Sequence, residues 1–328
     1  NFNAYTSFDE TVYMIMNAPV TRESIVDSCL LILHDWSGFI TLADTAIEKE
    51  RGVIREEWRT RQDAQARIWE QQLPKMFPDN KYAYRMPIGT IDVINNFKPD
   101  ELRDYYKKWY RPDLQGIIIV GDIDVDKVEA KIKALFSPIK MPENAAKYEH
   151  YPVPDNNEPI YVIDKDKEQG QAIIQLMFKH QPLVPDEYKN TVAFLSVQYI
   201  KSLASNVFNA RLNEAAQKGD CPFVAAYADD DSYILSKTMD AFNLVIIPKP
   251  GKDKEAIEAV MTEVKRVHEF GFTATEVMRA SEEILSGLEA TYNNRDKQKN
   301  AFYVPQYVRN FLENDPIPSI EDEYNMYK

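Results

Sequence analysis

The stretch from Ser137 to Pro159 constrains this chain more than any other. It holds Pro138, Pro142, Pro152, Pro154 and Pro159, the pair Asn156-Asn157, and few aliphatic residues. Proline fixes φ and offers no backbone N–H, so neither a helix nor a central strand runs through such a stretch. The core of it, 144–158, reads as a linker between a domain at 1–143 and a second at 159–328. A length of 328 residues suits two domains of ordinary size. Each is long enough to bury a core without disulfide staples.

Both sides of the break carry the same mixture of short β-branched runs and long amphipathic segments. In the first half, Thr11–Met16 reads as a strand and Ser24–Trp36 as a helix with one broad apolar face. A long, highly charged run of helix formers extends from Asp44 to about Gln72, and Phe77–Tyr84 reads as loop. Pro99 starts a helix that Arg111-Pro112 stops near Tyr110. Gly116–Ile123 reads as a buried strand between glycines, and Asp126–Phe136 as a helix. In the second half, strands are expected at Ile160–Ile163, Ala172–Phe178, Phe223–Asp229 and Phe242–Ile247. Helices are expected at Glu187–Leu203, Asn206–Lys218, Lys254–Phe270 and Thr275–Thr291. Strands and long helices mix without strict β-α alternation. The fold class is therefore α+β: two similar domains, each a mostly antiparallel sheet packed with helices.

Charge and composition exclude several function classes. Lys and Arg number 39 against 52 Asp and Glu, a net charge of −13. An acidic surface disfavours nucleic acid or an anionic membrane as the main partner. No apolar run reaches the roughly eighteen residues of a transmembrane helix. Two cysteines, Cys29 and Cys221, make no disulfide framework, and ten glycines leave little room for glycine-loop nucleotide sites. The chain opens at Asn1 without Met, one short turn before a strand, and its far end is polar. Both features suggest a piece of something longer.

From the residues alone, chemistry is scarce. The histidines are His34, His150, His180 and His268, and no two share a helical turn. No His-x-x-x-His pair, His-x-x-Glu-His motif, Gly-x-Ser-x-Gly elbow or phosphate loop occurs. Each histidine reads first as a packing or surface residue, and Glu48 as one charge on a solvated helix.

The sequence text goes further. Asn3-Ala4-Tyr5-Thr6-Ser7 with Thr11 and Tyr13, then Glu48-Lys49-Glu50-Arg51-Gly52-Val53-Ile54, then Pro87-Ile88-Gly89-Thr90 follow one another. Leu102 to Arg111-Pro112 and Gly121-Asp122 complete the series. In this order and spacing they resemble peptidase family M16, the pitrilysin and insulin-degrading enzyme family, and especially its PqqL-like bacterial members. The resemblance runs over nearly the whole chain and implies a zinc-dependent endopeptidase acting on peptides or unfolded polypeptides.

In that family two His of an inverted His-x-x-Glu-His helix and a Glu on a later helix hold Zn²⁺, and the motif Glu is the general base. The resemblance implies that Glu48 is the third ligand, and that the His-x-x-Glu-His segment lies upstream of residue 1. No catalytic residue is then assigned within the chain, which alone is expected to be inactive and to retain no zinc. Two helical turns before Glu48, where many members carry an acid, this chain has Thr41. Asn3, Ala4 and Tyr5 match the edge strand on which peptide substrate adds; a purely structural edge strand with Tyr5 in the core is the competing reading. The implied partners are a peptide and a C-terminal M16 half or partner subunit, in a bacterial periplasmic or envelope setting. A non-catalytic M16-like subunit, or a peptide-binding scaffold, is the alternative function.

Overall fold

The computed structural model describes residues 1–328, which divide into two compact units. The first comprises Asn1–Tyr151 with Val162–Asp166, the second Pro152–Tyr161 with Lys167–Lys328. Residues 144–151 thus lie in the first unit and 152–158 in the second.

In the first unit, β1 (Phe2–Thr6) and β2 (Thr11–Ile15) form a two-stranded antiparallel sheet with Ala4 opposite Tyr13. One face rests on α1 (Glu23–Gly38), where the Trp36 ring lies 5.9 Å from Phe2 and 5.5 Å from Tyr13. The charged run expected as one helix is two: α2 (Asp44–Thr60) and α3 (Ala64–Met76). The break has a local cause, because the Asp63 side chain accepts from the Ala66 N–H and starts α3 as an N-cap. Two short helices follow in the chain, α4 (Ile91–Asn96) and α5 (Pro99–Trp109), then α6 (Val125–Phe136). Leu73, Phe77, Tyr82, Ile94 and Leu30 are among the buried residues of this unit. Its returning segment is tied to α3 by charge: Arg67 reaches Asp166 through two 2.8 Å bonds, and Lys75 lies 2.7 Å from Asp164.

The expectation of a buried strand at Gly116–Ile123 is corrected. No strand forms there, and Ile117 is exposed. β-branched residues favour extended backbone, but a strand exists only where a neighbour completes the ladder, and nothing in this unit pairs with the run. Ile160–Ile163 fails for the same reason, with Tyr161 and Ile163 both exposed.

The second unit has a three-stranded antiparallel sheet of β3 (Ile174–His180), β4 (Phe223–Ser232) and β5 (Asp240–Pro248), in the order β3-β5-β4. Where two helices were expected, one α7 (Val192–Ala216) runs unbroken. No proline or glycine interrupts 192–216, so nothing ends the helix at Leu203. It is followed by α8 (Asp253–Phe270), α9 (Ala274–Asn293), α10 (Asn300–Glu313) and α11 (Ile320–Tyr327). The core brings Phe208 and Leu212 of α7, Phe223 and Ala228 of β4, Leu244 and Ile246 of β5, and Val260 of α8 into one cluster. Asn209 locks α7 to the sheet by bonding both polar groups of Ala228, at 2.9 and 2.7 Å. Gly271 ends α8 at φ 66°, a conformation that disfavours any side chain.

Candidate active site in the first unit

Glu48 stands in the first turns of α2, with its side chain half exposed. Its partner is Arg51, one turn on, which grips the carboxylate with Nε at 3.0 Å and Nη2 at 2.8 Å. The fork-on-carboxylate geometry keeps Glu48 ionised, below the usual carboxylate range, and raises Arg51 in return. Arg51 is held in turn. Its Nη1 and Nη2 donate to the carbonyls of Ile94 and Phe97 at 2.5 and 2.8 Å, and its guanidinium lies 3.9 Å over the Phe97 ring. Ile94 is the buried residue of α4 and Phe97 its C-cap, so Arg51 fixes the carboxylate to buried structure. Sequence reasoning missed Arg51, although the Glu–Arg spacing of three on a helix was the signal that could have found it.

An exposed, ionised carboxylate is a suitable oxygen donor for zinc. A complete metal site it is not: nowhere in the structure do three or more His, Cys, Asp or Glu side chains converge as a metal cage. Asp44, near Glu48 in sequence, pairs instead with Arg103, and Thr41 supplies no carboxylate.

Asn3, Ala4 and Tyr5 lie on β1, whose second edge has no strand beside it. The register decides which backbone groups face that edge. Asn1 and Met16 exchange both hydrogen bonds, and Ser7 donates to Glu10. In an antiparallel ladder bonded pairs alternate with non-bonded ones. Asn3–Met14 and Tyr5–Val12 are then bonded pairs, and Ala4 turns its N–H and C=O outward. The Asn3 side chain caps that outward amide, accepting from Ala4 N–H at 2.9 Å. Tyr5 is 43% exposed, with its hydroxyl 3.0 Å from Glu10, so it is not a core residue. No hydrogen bond or ion pair links Glu48 to β1. Trp109 and Arg111 pack at the end of α5, where Arg111 is buried and lies 2.9 Å from Asp113.

These features meet the known proteins at the level of family. The model of the peptidase M16 inactive domain matches residues 96–284, more than half of the chain, and that of insulinase, peptidase family M16, matches residues 1–86. The chain belongs to peptidase family M16. Among M16 relatives, the probable zinc protease PqqL of Escherichia coli is 29% identical over 327 residues, covering 99% of this chain and 34% of that protein. A zinc protease PQQL-like of Arabidopsis thaliana is 25% identical over 99% of this chain and 30% of its own length. The chain thus spans about a third of the length of these relatives. The crystal structure of the first half of the periplasmic protease PqqL from E. coli superposes with a TM-score of 0.85 at 27% identity, over 99% of this chain and 68% of that one. That M16 half has the same mixed helix and antiparallel-sheet architecture.

Proposed function

We propose that this chain is part of a zinc-dependent endopeptidase that hydrolyses peptides or unfolded polypeptides, and that its first unit, with 1–143 as the zinc-site domain, supplies one metal ligand and the substrate strand edge. The observation that carries the reading is Glu48: a carboxylate on a helix, half exposed, held ionised and aimed by a buried-anchored arginine, in a family whose relatives are named zinc proteases. The other ligands belong to a His-x-x-Glu-His segment outside these residues. Zinc held by a complete ligand set supplies a water acidic enough to attack an amide near neutral pH.

The chain's own residues do two things. Glu48 offers an anionic oxygen whose geometry is set before metal arrives, with Arg51 sharing the carboxylate. The outward N–H and C=O of Ala4 bind the backbone of an extended peptide as an added strand, after Asn3 releases the Ala4 amide. Backbone pairing is indifferent to side chains, which suits a peptidase of broad substrate range. A C-terminal M16 half or partner subunit completes the enzyme, and the setting is the bacterial periplasm, as for the E. coli relative. This chain alone is inactive, because one ligand of a set holds zinc poorly.

The test compares this chain with its longer parent on a quenched fluorescent peptide, with and without 1,10-phenanthroline. Cleavage by the parent alone, abolished by chelator and restored by zinc, is expected. Chelator-sensitive cleavage by the 328-residue chain itself would overturn the division of ligands.

A further inference from the structure

The second unit contains a cavity that the peptidase reading does not use. It has a volume of about 460 Å³ and lies among α7, α8, β4 and β5. Its walls are apolar: Val197, Ile200 and Phe208 from α7, Phe242 from β5, Val267 from α8, and Phe272 beyond it. The volume falls within the ~300–1,000 Å³ typical of small-molecule sites.

The polar groups at this cavity are few and their charges are unbalanced. Asp230 of β4 and Lys201 of α7 line it, together with Ser205. Lys201 Nζ lies 2.6 Å from Asp230 Oδ1 and 3.9 Å from Asp240 Oδ2, so one ammonium faces two carboxylates. His180 Nε2 lies 3.3 Å from Asp230 Oδ2 and is a cation only when protonated. Asp229 and Asp231 flank Asp230 on β4, and Asp229, though its side chain bonds Asn243, feels both neighbouring charges. Arg309, whose charge also acts on Asp231, is paired with Asp315 at 2.7 Å. The local surplus is negative. Asp230 Oδ1 is buried, with the Lys201 ammonium, shared with Asp240, as its close cation.

We propose that this cavity binds an amphiphilic primary amine, with an alkyl or arylalkyl tail among the apolar walls and the ammonium hydrogen-bonded to Asp230. A carboxylate head would have to take Lys201 from acids already beside it. A polypeptide would bring several backbone N–H and C=O groups into walls that offer only Lys201, Ser205 and Asp230 as partners. The ammonium head adds a second charged donor at Asp230 and offsets the surplus charge, and the tail needs no polar partner.

Calorimetric titration of the 328-residue chain with n-octylammonium, n-octanoate and 1-octanol tests this. Saturable one-to-one binding of octylammonium is expected, at least about 10-fold tighter than octanoate, because the charge-assisted bond is made by the amine alone. Asp230→Asn should weaken octylammonium about 10- to 100-fold and leave 1-octanol little changed. Ala204→Trp, which fills the cavity from α7, should abolish binding of both. Octanoate binding as tight as the amine, absence of saturation, or octylammonium affinity unmoved by either variant overturns the proposal. The comparison of the two head groups needs no variant, so it stands even if a substitution impairs folding.

Discussion

Replacing Glu276 tests how the second unit is held together. This residue is the third of α9 and closes a capping box with Thr273, whose N–H and Oγ1 both lie 2.8 Å from its carboxylate. Arg211 of α7 reaches the same carboxylate with Nε at 2.5 Å and Nη2 at 2.8 Å, while also donating to the Gly271 carbonyl. The Arg211 guanidinium, followed by the Thr273 bonds, lowers the Glu276 pKa to about 2, against an ordinary 4.5. Taken whole, a shift of that size is worth ~3.4 kcal/mol at neutral pH. Both side chains keep some solvent contact, so screening reduces the charge contribution to about 1–2 kcal/mol. Loss of the capping box adds about 1 kcal/mol. Glu276→Ala should therefore destabilise this unit by about 2–3 kcal/mol near pH 7, and Glu276→Gln, which can still close the box, by about 1–2 kcal/mol. Because the folded pKa is depressed, the stabilisation is complete above about pH 4.5 and fades as pH falls toward 2. More than half of the charge contribution should be gone by about pH 3. Urea unfolding followed by far-UV circular dichroism, with hydrogen exchange read on α7 and α9, gives the numbers. A Glu276→Gln deficit that is the same at pH 3 as at pH 7 would refute the charge argument, and a deficit below ~0.5 kcal/mol for Glu276→Ala would refute the geometry.

Other expectations follow from single contacts. Asn209→Ala removes two bonds to the Ala228 backbone and leaves that backbone buried, so unfolding of the second unit should be easier by about 2 kcal/mol in the same urea assay. Tyr110→Phe breaks the 2.6 Å bond between the Tyr13 and Tyr110 hydroxyls and should cost the first unit about 1 kcal/mol. All four tryptophans, Trp36, Trp58, Trp69 and Trp109, lie in that unit, so intrinsic fluorescence reads its transition. Arg51→Lys keeps charge but cannot fork onto Glu48 while reaching Ile94 and Phe97; a lowered melting temperature by fluorescence is expected, with Arg51→Ala lower still. Equal melting for the lysine variant and the unaltered chain would contradict the anchoring role.

Local signals in the sequence located five helices and four of the six expected strands, and missed α4, α10 and α11. Helices are specified by their own residues and caps, so α1, α5, α6, α8 and α9 fall within a few residues of the positions their periodicity indicates. The α2–α3 break was legible in Asp63 but hidden by helix formers on both sides. Strands depend on partners far away in sequence. Ile117–Val120 and Ile160–Ile163 have the composition of strands and no neighbour to pair with. Glu48 is one acid among many on a charged helix, and only the resemblance to family M16 distinguished it. Its grip by Arg51 follows from helical spacing, but the anchor on Ile94 and Phe97, more than forty residues on, does not. The cavity of the second unit was illegible, because its walls come from positions scattered between Leu183 and Phe272.

The central claim is that Glu48 is a zinc ligand. Its most direct measurement is the zinc content of the longer parent protein, by mass spectrometry of the metal after gel filtration, for the unaltered protein and for Glu48→Gln. The substitution keeps size and hydrogen-bonding capacity but removes the anionic donor. About one zinc per chain in the first and a large loss in the second, with circular dichroism unchanged, is the predicted result. Full zinc occupancy in the Glu48→Gln protein would contradict it.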